Sequence, residues 1–134
     1  MVLGNLTTFG GLSLCIAEMT SGLTLAGPSD GSTGATDGTG AAARFTYPKG
    51  LTVDANGNVF VADTYNNRIR KISPQGVVTT VAGTGVRGNT NGWAAAAQFN
   101  RPEGIAVDSS GNLFVADTSN HAIRLLQYKI VPTP

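Results

Sequence analysis

Apolar and polar side chains alternate along much of this chain, and the alternation predicts strands. In Gly50 to Asp54 and in Val59 to Thr64 the apolar positions recur with a period of two, the spacing of a half-buried β-strand. Ala55-Asn56-Gly57-Asn58 between them is a turn built from residues that tolerate positive φ. Tyr65-Asn66-Asn67 reverses the chain into Arg68 to Ser73, where Ile69 and Ile72 are the core candidates. Pro74-Gln75-Gly76 then turns it into Val77 to Ala82, a β-branched run. The pattern predicts four antiparallel strands joined by short turns.

The same pattern occurs twice. Phe45 to Arg70 aligns without a gap on Phe99 to Arg124, with 15 identities in 26 positions at a period of 54. A period of that length filled with strands marks a propeller or a solenoid, and four antiparallel strands per unit make one propeller blade. In the second unit Gly104 to Asp108, Asn112 to Thr118 and Ala122 to Gln127 repeat the first three strands. Gln127 to Pro134 carries two prolines and no turn glycine, so a regular fourth strand is not expected there. The connector Gly83 to Arg101 has an earlier counterpart in Gly27 to Phe45, and both end in an alanine run and a phenylalanine. Ala94 to Gln98 is expected to form a single helical turn.

This alignment puts Leu23 to Ala26 where the outer strand Val77 to Ala82 stands in the next unit. Leu12 to Met19, followed by Thr20-Ser21-Gly22, would be a third strand and hairpin turn of the same incomplete blade. The expected organisation is an N-terminal segment (1–22), an outer strand with a glycine-rich connector (23–44) and a first blade (45–83). A second connector (84–98), a second blade with an uncertain fourth strand (99–127) and a tail (128–134) follow. Each blade must stack on a neighbour to bury its apolar face, so two blades leave surplus apolar surface and strand edges.

Composition narrows the function classes. The 134 residues contain 18 glycines and 13% charged residues, with a formal net charge of +1, which provides no field for nucleic acid or an anionic membrane. Cys15 is the single cysteine, excluding an intrachain disulfide and a cysteine-built zinc site. Gly10 to Ala17 is short, broken by glycine and serine and preceded by no Lys or Arg, so it does not read as a signal peptide. No stretch approaches the roughly 20 apolar residues of a membrane span.

Three blocks carry a family resemblance: Pro48-x-Gly50-Leu51-x-Val53-Asp54, then Gly57-Asn58-x-Phe60-Val61-Ala62-Asp63-Thr64, then Asn66-x-x-Ile69-Arg70. The second copy of the last block reads Asn120-His121-Ala122-Ile123-Arg124. From Leu23 to about Gln127 the chain resembles the NHL-repeat β-propellers. The resemblance implies an all-β fold of four-stranded antiparallel blades, usually about six to a ring, so this chain would supply about two blades of a partial or oligomer-completed propeller. It also implies an interaction platform more often than an enzyme.

Candidate chemistry is sparse. Asp54, Asp63 and Arg70 recur as Asp108, Asp117 and Arg124, and residues that recur with the repeat read as structural. The aspartates end strands, where a carboxylate can accept N–H groups of the following turn and pair with the adjacent arginine. His121 stands alone, and no G-x-S-x-G elbow occurs. No catalytic residue, metal ligand or cofactor is therefore expected. Aromatics that break the repeat are the interaction candidates: Trp93 against Thr39, Tyr65 against Ser119, and Tyr47 against Arg101. The leading expectation is a non-enzymatic protein-binding or assembly element. Three chains could close a six-bladed homotrimer by head-to-tail contact, with LTLA pairing on the Ala122 to Gln127 strand of a neighbour, or a larger complex could complete it. The alternatives are a metal-dependent lactonase-like or lyase-like enzyme and an RNA-binding NHL domain.

Overall fold

The computed structural model describes residues 6–9, 12–15 and 21–128. Two short strands, β1 (Leu6–Phe9) and β2 (Leu12–Cys15), form an antiparallel hairpin with Phe9 opposite Leu12. The expectation that Leu12 to Met19 is the third strand of an incomplete preceding blade is met here by a strand over Leu12–Cys15 whose partner is β1. Residues 16–20 lie outside the described ones.

The first blade is the sheet anticipated from alternation. β4 (Pro48–Val53), β5 (Val59–Asp63), β6 (Arg68–Ile72) and β7 (Val77–Ala82) pair antiparallel in sequence order. Each turn is made by the residues that favour it: Gly57 and Gly76 have φ of 83° and 82°, and Asn67 sits in the left-handed region at 52°, which Asn tolerates better than most residues. A fifth strand, β3 (Gly38–Thr39), adds to the outer edge, with Gly38 opposite Val78 and Thr39 opposite Val77. Alternation could not flag it, because two residues show no period.

Leu23–Ala26 forms no strand, a correction to the expected outer strand. A strand exists only through a paired neighbour, and among the described residues none lies beside it. Its C-terminal end is nonetheless fixed as the alignment requires. Gly27 N–H donates to Gly40 O at 3.1 Å, just as Gly83 N–H, at the end of β7, donates to Ala94 O at 2.9 Å.

The second blade holds three strands among the described residues: β8 (Pro102–Val107), β9 (Leu113–Asp117) and β10 (Ala122–Leu126), in the order β8-β9-β10. A bulge follows the first proline of both inner strands, between Pro48 and Leu51 and between Pro102 and Gly104. The alanine run makes one turn, closed by Ala96 and Ala97 N–H donating to Trp93 O. Among the described residues no helix is long and apolar enough to cross a membrane.

The blades stack face to face. Phe60, Ala62, Ile69 and Ala82 of the first blade interleave with Ala97, Phe99, Leu113 and Val115 of the second, with Ile105 and Val107 against them. A second cluster, Ala43, Val61, Ile72 and Val78 with Ala26, Phe45 and Val59, is the repeat equivalent of the side that the second blade presents to the first. No further blade among the described residues covers it.

Candidate functional site

The repeated aspartates and arginines form two clasps. Asp63 is fully buried; one carboxylate oxygen accepts Thr46 N–H at 2.9 Å, and the other accepts Asn66 Nδ2 at 2.7 Å and Arg70 NH1 at 2.8 Å. Arg70 goes on to donate to Arg44 O, Thr36 O and Asp37 Oδ1 at 2.8–3.0 Å, with its guanidinium 5.0 Å from the Phe45 ring centroid. The second clasp copies the first. Asp117 accepts Asn100 N–H, Asn120 Nδ2 and Arg124 NH1, each at 2.8 Å. Arg124 donates to Gln98 O, Thr90 O and Asn91 Oδ1 at 2.7–3.0 Å and lies 4.9 Å from the Phe99 centroid. Each clasp binds a blade to the connector that precedes it.

Asp54 and Asp108 sit in the β4–β5 and β8–β9 turns, which border one shallow depression of about 310 Å³. Asp54 accepts Asn58 Nδ2 and the Asn56 and Asn58 N–H groups, and Asp108 accepts Asn112 Nδ2 and the Ser110 and Asn112 N–H groups, all at 2.9–3.0 Å. The asparagine side-chain donors, with the turn amides, hold both carboxyls below their ordinary 3.8. A depressed folded-state pKa gives stabilisation that is present above the ordinary value and is lost as pH falls through the folded one. A ¹³C NMR titration of the two carboxyls is expected to place both midpoints below 3.8, with the turn amides shifting in step; a midpoint at or above that value would contradict the bonding. Among the described residues no three of His, Cys, Asp and Glu come together as metal ligands.

The aromatic candidates separate into two places. Tyr47 and Tyr65 touch, with ring centroids 4.7 Å apart, and Arg101 of the second blade lies 5.2 Å over the Tyr65 ring. Tyr47 and Arg101 occupy equivalent repeat positions and share left-handed backbone, at φ 50° and 53°. Trp93 is exposed and belongs to the second connector, where it follows Gly92 at the edge of a groove of about 560 Å³ along β10.

Sequence reasoning did not find the joint between blades. Thr64 is fully buried and its hydroxyl donates to Pro102 O at 2.7 Å, while Arg101 N–H donates to Asn67 Oδ1 at 2.8 Å. Their second-blade counterparts, Thr118 and His121, are exposed. The core positions behave likewise. Phe60 and Ile69 are 3% and 0% exposed, whereas Phe114 and Ile123, the same residues one period later, are 42% and 76% exposed. On the opposite side Leu51 is 64% exposed although its counterpart Ile105 packs in the core. The sequence signal was the identity itself, because identical residues in identical strands call for identical cover.

The NHL repeat family model matches residues 45–72 and 99–124. Among curated proteins the chain is 39% identical over 94 residues to the Arabidopsis thaliana protein SUPPRESSOR OF QUENCHING 1, chloroplastic, covering 69% of this chain and 9% of that protein. It is 41% identical over 97 residues to NHL repeat-containing protein 2 of Bos taurus, covering 69% of this chain and 13% of that one. Among solved structures, a chain described as an auxiliary nutrient binding protein from Bacteroides thetaiotaomicron superimposes with a TM-score of 0.68 at 31% identity, over 75% of this chain and 27% of that one. The chain thus spans about a tenth of these curated relatives and about a quarter of the solved chain.

Proposed function

Because this chain belongs to the NHL-repeat family of β-propellers, we propose that it is a non-enzymatic protein-binding and assembly element whose propeller is completed by protein. One observation carries the reading: Phe114 and Ile123 stand exposed where Phe60 and Ile69 are buried by the next blade. Together with Leu51 and Val53 on the opposite side, they give the two-blade unit two apolar faces that differ from each other. Faces of that kind meet head to tail, and such contacts close into a ring when the rotation per unit allows. Three chains would supply six blades; a larger complex offering equivalent blade surfaces would serve the same faces. Asp54, Asp63 and Arg70, with Asp108, Asp117 and Arg124, serve the fold in this reading. Tyr47, Tyr65 and Trp93, which the repeat does not dictate, serve the partner.

Light scattering of the purified full chain tests this. The expected result is a discrete multimer, with a trimer favoured, or a protein that stays in solution only when co-expressed with its partner. A well-folded monomer with both faces bare at micromolar concentration would overturn the reading, since exposed blade faces and sheet edges promote association.

A further inference from the structure

The groove along the outer edge of β10 has an internal template, because in the first blade the same space is filled by β7. There Ile69, Arg70, Lys71 and Ile72 of β6 stand opposite Ala82, Thr80, Thr79 and Val78, and Thr80 Oγ1 donates to Asp37 Oδ1 at 3.0 Å. In the second blade the corresponding edge is Ile123 to Leu126, and Asn91 takes the place of Asp37, accepting from Arg124 as Asp37 accepts from Arg70. Among the described residues no strand occupies that edge.

The occupant is indicated at the other end of the chain. Gly27 is anchored to the first connector as Gly83 is anchored to the second, and Ala26 packs on the cluster of Ala43, Val61, Ile72 and Val78 as Ala82 packs on the second blade. Residues 22–26 therefore already lie where the outer strand of a preceding blade would run, with Leu23 and Leu25 exposed and no strand beside them among the described residues.

We propose that residues 21–26 of one copy of this chain complete the second blade of another copy, pairing antiparallel with β10. This rests on the assembly reading above and deepens it by naming the strand and its register. Superposing the β6–β7 pairing sets Ala26 opposite Ile123, Thr24 opposite Arg124 and Leu23 opposite Leu125 of the other copy. The Thr24 hydroxyl then meets Asn91 as that of Thr80 meets Asp37. By the pairing of Thr39 with Val77, Trp93 comes opposite Ser21 and beside Gly22, so the large indole meets small residues where Thr39 meets two valines. The strand supplies main-chain hydrogen bonds and the Thr24 and Trp93 positions supply specificity, the usual division of labour in β-strand addition.

Cysteine pairing tests the register in full-length chains carrying Cys15→Ser. Leu23 and Leu125 are exposed, and residues directly opposite in antiparallel strands bring Cβ atoms within about 5 Å. One chain carries Leu23→Cys, another Leu125→Cys, and the two are mixed under mild oxidation. The expected result is a covalent heterodimer that takes up about half of the chains, the limit for a head-to-tail trimer mixed at random. Each variant alone gives none, and Thr24→Cys mixed with Leu125→Cys gives at least tenfold less. If the protein remains multimeric by light scattering but the Leu23–Leu125 pair does not cross-link, strand donation is wrong and the assembly reading survives. If the chains are monomeric and do not cross-link, both fall. A Leu23→Cys/Leu125→Cys double variant that closes only within single chains would also overturn the proposal.

Discussion

Alanine at position 63 is expected to lower folding stability by about 3–5 kcal/mol, the range for removing one partner of a buried ion pair. Asp63 and Arg70 are both fully buried and bonded to each other at 2.8 Å. Without the carboxylate, the Arg70 guanidinium keeps only the half-exposed Asp37 as a counter-charge, and the Thr46 N–H and Asn66 amide lose their acceptor. Asp117→Ala should cost less, about 1–3 kcal/mol, because the Arg124 side chain is 11% exposed and can turn toward water. Urea denaturation of the two variants measures both. A loss below about 1 kcal/mol at Asp63, or an equal loss at the two sites, would contradict the clasp as the reason these residues recur.

Phe60→Ala and Phe114→Ala are expected to differ in kind although the residues are identical and hold the same place in their strands. Phe60 lies between the blades, so its truncation should cost about 3–5 kcal/mol of folding stability. Phe114 is 42% exposed, with no further blade over it among the described residues. Its truncation should change stability by less than about 0.5 kcal/mol while shifting the protein from multimer to smaller species. Chemical denaturation at low concentration and light scattering at high concentration separate the two effects. A Phe114→Ala protein that assembles like the parent would remove that face from the interface.

Much of the blade was legible because its signals are local. The turn at Gly57, the turn at Gly76 and the alternation of Val59 to Asp63 each depend on a few consecutive residues, and the strands formed where these indicated. What could not be read depends on a neighbour. Leu23–Ala26 has strand composition but no partner strand among the described residues, and β3 is a strand only because Val77 and Val78 pair with it. Thr64 and Thr118 are the same residue, yet one joins two blades and the other faces solvent, a difference that comes from stacking rather than from composition. For Asp63 and Asp117 the pairing with Arg70 and Arg124 was legible from the repeat and formed as expected, whereas the bonding of Asp54 and Asp108 to the Asn58 and Asn112 side chains emerged only with the turns in place. The contact of Tyr47, Tyr65 and Arg101 spans two blades and has no local signature.

The clasps also redraw the boundary of the repeating unit. Arg70 holds Thr36 and Asp37, and Arg124 holds Thr90 and Asn91, so each connector belongs to the blade that follows it. The transferable module therefore runs from connector to outer strand, about residues 29 to 82, and not from the first inner strand as the aligned motif implies. A gene duplication, fusion or circular permutation cut near Pro28 or Gly83 would carry every clasp intact. A cut at Phe45 or Phe99, where the motif begins, would leave the arginine and its aspartate in one fragment and the connector acceptors of that arginine in the other.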